Sequence, residues 1–250
     1  MMFQNHKLMG IVNLNDDSFY SVSRVDGIDA FRRRLDYLIK AGASIIDIGA
    51  VSSRPGAVEV SADEEWSRLE PFIREIASNY RGLSFSIDTY RASVVLMAYQ
   101  EMGRFIINDI SAGEWDKAML PVAGRLGLRY VAMHHRGTFL TMHDSYTYGN
   151  VVDCILKFFE EFSERAVECG IQDWILDPGF GFSKSIEDNL TLLDNLSKFK
   201  IFRKPILVGL SRKSFIYKPA GLSPDNCAEL TEKYEKIAVE KGASIIRTHL

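Results

Sequence analysis

One pattern narrows the fold of this chain more than any other feature: a segment with helical periodicity, a glycine, then a short apolar run that stops at a polar side chain. It reads Lys40-Ala41-Gly42-Ala43-Ser44-Ile45-Ile46-Asp47, then Glu101-Met102-Gly103-Arg104-Phe105-Ile106-Ile107-Asn108, then Leu126-Gly127-Leu128-Arg129-Tyr130-Val131-Ala132-Met133-His134. It returns over Cys169–Asp177 and over Lys241–Arg247. Glycine can close a helix with a left-handed residue at no steric cost, so each copy marks a helix-to-strand joint. Adding Leu8–Asn13, Phe85–Asp88 and Pro205–Gly209 raises the number of candidate strands to eight. Helical patterns at roughly 28–41, 62–79, 91–102, 115–126, 151–169, 187–198 and 228–241 fill seven of the intervals. The second of these opens with Ser61-x-x-Glu64, the spacing of a capping box.

Regular alternation of strand and helix requires a parallel sheet, and eight units in 250 residues predict a (β/α)8 TIM barrel built from residues 1–250 as one domain. An open doubly wound sheet would carry Gly-x-Gly-x-x-Gly after its first strand; here Gly179-Phe180-Gly181 follows the sixth strand and lacks the third glycine. The final strand runs to Leu250, so the barrel is expected to lack its eighth helix, either because the chain is shortened or because something else covers that surface.

Composition excludes several classes of partner. The 30 basic and 33 acidic residues leave a net charge of -3, which gives no electrostatic case for nucleic acid or a membrane surface. No stretch approaches the roughly 18 apolar residues of a membrane span. Cys154, Cys169 and Cys227 form no Cys-x-x-Cys, and the first residues carry no apolar leader, which together predict a cytoplasmic protein.

In a closed barrel the carboxyl ends of all strands open on one mouth, where ligands bind. The most informative exit lies in Trp174–Lys184, where an apolar run stops at Asp177 before Pro178, Gly179 and Gly181. The other exits carry Asn13, Ser52-Ser53-Arg54-Pro55-Gly56, Asp88, Asn108-Asp109, Met133-His134, Gly209 through Ser214, and Arg247-Thr248-His249. Asp88, Asn108 and Asp177 are short acceptors or amides that suit a flat heterocycle rich in N–H groups, because a carboxylate accepts two parallel hydrogen bonds from an amidine-like edge. A divalent metal site competes with that reading, and so does a helix cap for each Asp alone; Lys213 would oppose a cation placed among them.

Arg54, Arg247 and His249, with Asn13 and the backbone N–H groups of the 52–56 loop, form a candidate phosphate or pyrophosphate site. The Ser211-Arg212-Lys213-Ser214 segment opens a helix and can take a second anion, such as a carboxylate. Phe180 and Phe182 are either the apolar wall of a substrate slot or packing beneath the loop. His134, His135 and His143 lack the spacing of zinc ligands and are read as non-metal residues.

Taken in order, these segments resemble the dihydropteroate synthases, the pterin-binding, sulfonamide-inhibited enzymes of the folate pathway, across nearly the whole chain. The segments are Met9–Asn13, Ile46–Gly49 with Ser52–Ala57, Ser86–Tyr90, Ile107–Ile110, Met133-His134, Leu176–Phe182, Ser211–Phe215 and Arg247–His249. The resemblance implies a cytoplasmic transferase that joins 6-hydroxymethyl-7,8-dihydropterin pyrophosphate to p-aminobenzoate and releases pyrophosphate, with Mg2+ as cofactor. It implies that Asp88, Asn108, Met133, Asp177, Gly209 and Lys213 hold the pterin, with Asp88, Asp177 and Lys213 central to catalysis. Asn13, Arg54, Arg247 and His249 would hold the pyrophosphate, and Asn13 the metal. Phe19, Ser53, Pro55, Phe182, Lys213 and Ser214 would line the p-aminobenzoate pocket.

The resemblance also implies a homodimer, although the seventh helical pattern, Glu229–Lys241, is more charged than a buried interface prefers. In the first loop the family's Asn-x-Thr-Pro-Asp-Ser-Phe and following Asp-Gly-Gly become Asn13-Leu14-Asn15-Asp16-Asp17-Ser18-Phe19 and Tyr20-Ser21-Val22-Ser23. Two other readings stay open on sequence: a pterin-dependent methyltransferase, and a pterin-binding paralogue whose first loop no longer closes.

Overall fold

The joint glycines do what their positions predict: all five have positive φ, from 61° at Gly127 to 114° at Gly242. The computed structural model describes residues 6–14, 27–52, 56–144 and 146–250. The apolar runs form β1 (Lys7–Asn13), β2 (Ala43–Gly49), β3 (Ser84–Asp88), β4 (Ile106–Asp109), β5 (Arg129–Met133), β6 (Trp174–Asp177), β7 (Leu207–Val208) and β8 (Ile245–Thr248). The helices are α1 (Gly27–Lys40), α2 (Ala62–Asn79), α3 (Ala92–Met102), α4 (Met119–Leu126), α5 (Val151–Glu168), α6 (Ile186–Asp194), α7 (Ser214–Tyr217) and α8 (Ala228–Glu240).

The strands pair in parallel in the order β6-β5-β4-β3-β2-β1-β8-β7. A single parallel bridge, Leu176 to Ile206, joins the two ends, supported by the Leu176 N–H donating to the Pro205 carbonyl at 3.0 Å. The result is the expected barrel, nearly closed, with its weakest seam between β6 and the two-residue β7. Among the described residues no helix follows β8.

Alternation along each strand separates two layers. Outward residues such as Ile46, Ile48, Phe85, Ile87, Ile107 and Leu176 pack with the helices in one continuous core. Inward residues Met9, Ile45, Ile106, Val131, Ile175, Leu207 and Ile245 form a separate apolar cluster that floors the barrel. Each such side chain contributes about 1.5–3 kcal/mol when fully buried.

Four local expectations are adjusted. The fourth helix begins at Met119 instead of near 115, because the Asp116 carboxylate already accepts the Ala118 and Ala92 N–H groups and shapes a turn there. The sixth ends at Asp194 and continues as a 3-10 helix over Leu196–Phe202. The helix after Lys213 is one turn long, so Lys213 itself, and not a helix end, is what that segment offers the mouth. At Ser61 only half the capping box forms: Ser61 Oγ accepts the Glu64 N–H, while Glu64 pairs with Arg68. A complete box forms instead at Ser185 and Asp188.

Candidate active site

The floor of the barrel fixes where its chemistry stands. Ile45 is followed two positions later by Asp47, Ile106 by Asn108, Val131 by Met133, Ile175 by Asp177, Leu207 by Gly209 and Ile245 by Arg247. A step of two along a strand returns to the same face, so these positions form a second inward ring one pleat nearer the mouth. Seven of the sequence candidates thereby share one opening, because Asp88 and Asn13 end β3 and β1 on the same side.

One half of the ring is an ion network. Arg247 donates through Nε to Asp47 Oδ2 at 2.7 Å and through Nη2 to Asp88 Oδ2 at 2.8 Å. Asn108 Nδ2 donates to the same Asp47 oxygen at 3.1 Å. Asp47 is fully buried, and its Oδ1 has no hydrogen-bond partner among the described residues. No site role was expected of Asp47, yet the signal was present: it stands two residues past a residue of the apolar floor, Ile45, as Asp177 stands two past Ile175. Burial pushes the Asp88 carboxyl up to about 7, against the opposing pull of Arg247.

The other half is organised by backbone. Asp177 Oδ1 accepts the Gly179 N–H at 2.8 Å. Burial raises its carboxyl to about 6, with the Gly179 N–H and then Lys213 acting the other way. Gly179 and Gly181 are both left-handed, with φ of 71° and 80°. A side chain at Gly179 would collide with the His134 carbonyl, and one at Gly181 would press on Lys213 Cδ at 2.9 Å. Only glycine lets this loop lie against its neighbours. The Lys213 ammonium sits 4.1 Å from the centre of the Phe182 ring. Burial, then Arg247, draws it down to about 8, while Asp177 and Asp88 resist.

The two phenylalanines have different surroundings. Phe180 is 1% exposed and stacks on Phe215 at 6.1 Å beneath the loop. Phe182 joins Tyr90, Ile110, Met133, Phe139 and Met142 in an apolar cluster distinct from the barrel floor. His249 stands beside Ser211, Nδ1 to Oγ 3.0 Å. Burial and then Arg247 push its ring down to about 3, so the imidazole is neutral in the ligand-free mouth. Asp109, at the exit of β4, lies outside the inward ring. Its carboxylate accepts the Ser111 and Gly113 N–H groups and the Tyr130 hydroxyl, a structural anchor for the loop after β4.

Ser214 is exposed at the start of α7. Phe19, Ser53, Arg54 and Pro55 lie outside the described residues. Among the described residues, no group of three His, Cys, Asp or Glu is placed to hold a metal ion, and no helix is long and apolar enough to cross a membrane.

A (β/α)8 barrel with paired acids, an amide and two cations at its carboxyl-terminal mouth defines an enzyme that captures a polar, planar ligand. The family model described as pterin binding enzyme matches residues 9–249. The dihydropteroate synthase of Bacillus subtilis is 38% identical over 97% of this chain and 82% of its own. A Yersinia pestis dihydropteroate synthase, solved with a sulfonamide drug complex, superposes with a TM-score of 0.93 at 34% identity, covering 100% of this chain and 90% of the other. The Xanthomonas albilineans enzyme solved with 4-aminobenzoic acid gives 0.86 at 31% identity, covering 99% and 88%. The chain belongs to the pterin-binding enzyme family and, within it, to the dihydropteroate synthases, transferases of folate synthesis.

Proposed function

We propose that this mouth binds 6-hydroxymethyl-7,8-dihydropterin pyrophosphate and p-aminobenzoate and joins them as 7,8-dihydropteroate. The observation that carries the reading is the inward ring itself: Asp88, Asn108, Asp177 and Lys213 converge above an apolar floor. With Oδ2 and the second lone pair of Oδ1, Asp177 can accept the amino and ring N–H groups of the pterin side by side, a bidentate match. Met133 and Gly209 flank the ring plane, and the unpaired Asp47 Oδ1 is a further acceptor at the bottom of the slot.

Loss of pyrophosphate breaks the C–O bond and leaves the exocyclic methylene cationic. The carboxylates Asp88 and Asp177, preorganised in a buried site, stabilise that charge. The amine nitrogen of p-aminobenzoate then forms the C–N bond and gives up a proton. No side chain acts as nucleophile.

Arg54, Arg247 and His249 are assigned to the departing pyrophosphate. Mg2+ is held in proteins by one or two hard oxygens together with substrate phosphates, so the lack of a three-residue cage among the described residues suits an ion that arrives with the pyrophosphate. Asn13, at the end of β1, is the residue assigned to it. The ion would supply charge neutralisation for the leaving group.

Phe182 and the aliphatic stem of Lys213 form the wall assigned to the aromatic amine, with Phe19, Ser53, Pro55 and Ser214. The sulfonamide complex of the Y. pestis relative supports sulfonamide recognition by this chain. A cytoplasmic location is supported by three cysteines that are all free. The test is release of pyrophosphate from the pterin substrate with and without p-aminobenzoate, with dihydropteroate identified by mass. Release without formation of the C–N product would overturn the reading.

A further inference from the structure

Lys184 is 8% exposed, and its ammonium is enclosed by protein. Nζ donates to the carbonyl oxygens of Gly179 at 2.8 Å and Phe182 at 2.9 Å, and at 3.5 Å to that of His134. These partners are neutral. A buried ammonium bound only to carbonyls is costly, and a methionine of similar length would be cheaper to bury. The charge therefore does something that packing alone does not. An ammonium has three donors around one point, which matches three converging carbonyls as no planar group can.

The consequence lies in the loop those carbonyls belong to. Turning the oxygens of Gly179 and Phe182 inward fixes the backbone between them, which carries the Phe182 ring under Lys213 and brings Gly181 against its stem. The His134 carbonyl follows β5, so the same ammonium ties the exit of β5 to the exit of β6. Neighbouring residues reinforce the tie. Ser183 Oγ accepts the Arg136 N–H at 2.8 Å and lies 3.0 Å from the Met142 carbonyl, which also accepts the Ser183 N–H at 2.9 Å. Asn189, 1% exposed, accepts the Gly181 N–H at 2.7 Å and donates to the Lys184 carbonyl at 3.3 Å.

We propose that Lys184 is a positioning residue: by gathering the Gly179, Phe182 and His134 carbonyls it holds Phe182 and Lys213 in register with Asp177, and so sets the slot for the aromatic amine. This rests on the assignment of that slot to p-aminobenzoate. Burial draws the Lys184 ammonium down to about 7, with Asp177 as the main opposing influence, consistent with an ion kept at a cost for geometry.

Lys184→Met keeps length and apolar bulk while removing the donors. A comparison variant, Leu192→Ala, opens a cavity in the buried face of α6 and lowers stability without touching the loop. With both pterin substrate and p-aminobenzoate varied, Lys184→Met is expected to raise KM for p-aminobenzoate about tenfold and lower kcat about tenfold, since small misplacement of aligned groups is costly. KM for the pterin substrate should stay within about threefold, and Leu192→Ala should leave all constants near wild type although it lowers Tm. Unchanged constants in Lys184→Met would overturn the proposal.

Hydrogen exchange read at Gly181, Phe182 and Ser183 separates this from the functional reading. If wild-type protein makes no dihydropteroate, the assignment of the reaction fails. Faster exchange at those three amides in Lys184→Met, and not in Leu192→Ala, still supports the tie, and unchanged exchange overturns it.

Discussion

The two carboxylates of the mouth are held by opposite means. Asp88 answers to a side chain, the guanidinium of Arg247, which it shares with the buried Asp47. Asp177 answers to the backbone N–H of Gly179, in a loop pinned by Lys184, Ser183 and Asn189. A side-chain partner can swing away when a ligand arrives, whereas a backbone donor in a pinned loop stays put. The β6 half of the site is therefore preorganised, and under the proposed function the β3/β8 half exchanges an internal ion pair for substrate. Arg247 keeps 26% of its side chain exposed, which leaves it room to turn toward an anion at the lip.

The largest expected effect tests the fixed half. Asp177→Asn removes the charge and one bidentate acceptor face while keeping the shape, and turnover should fall about a thousandfold, the scale of a lost transition-state charge partner. Stability should move the other way. Burial raises the folded carboxyl from its ordinary range to about 6. The folded state therefore binds the proton more tightly than the unfolded chain, and folding loses stability as pH rises from about 4 to about 6. Asp177→Asn should then melt higher than wild type at pH 7 and nearly alike at pH 3. An Asp177→Asn variant that is equally stable at both pH values would show that the loop neutralises this acid fully.

The exchanging half should respond more mildly in rate and more severely in fold. Arg247→Met leaves Asp47 and Asp88 facing each other without their cation, at about 3 kcal/mol, the lower end for breaking a buried pair because Arg247 is partly solvated. Activity should fall about a hundredfold, through weaker hold on the leaving group. The two halves also titrate differently. With Asp177 near 6, Asp88 near 7 and Lys213 near 8, kcat/KM should be bell-shaped, its acid limb reporting the coupled acids and its alkaline limb Lys213. Arg247→Met should move the acid limb to higher pH, since the chief influence holding the Asp88 carboxyl down has gone. An unmoved limb would mean that Asp88 does not govern capture.

Much of this arrangement was legible in the sequence because the strands speak with a period of two. Asp177, Asn108 and Arg247 each stand two residues past an isoleucine, at the end of an apolar run, so strand, face and mouth follow together from one pattern. Asp47 carries the same signature, two residues past Ile45, and its part in the site shows only in its contacts across the barrel with Arg247 and Asn108. Pairing was not legible. That Arg247 turns inward to two acids, or that Lys184 serves carbonyls and not an anion, depends on distances across the barrel that no local spacing encodes. The neutral state of His249 was equally hidden, since it follows from burial beside Arg247.

The smallest effect lies at the outer edge of the pinned half, where two capping sites can be compared. Asp188 accepts the Ser185 N–H at 3.0 Å and its hydroxyl at 2.6 Å, and its own N–H donates back to Ser185 Oγ at 3.0 Å. At the start of α2 the return bond is missing, because Glu64 pairs with Arg68 instead. Asp188→Ala should therefore cost about 1 kcal/mol, a fall in Tm of about 2–4 °C for a domain of this size, while Glu64→Ala should cost under about 0.5 kcal/mol. Turnover should change less than about twofold in either, because Lys184 holds the loop carbonyls and Asn189, on the buried face of α6, holds the Gly181 N–H, neither through the cap itself. If Asp188→Ala instead cut turnover as deeply as a loss at the mouth, the order around Asp177 would begin at the first turn of α6, and the fixed half would be only as rigid as that helix.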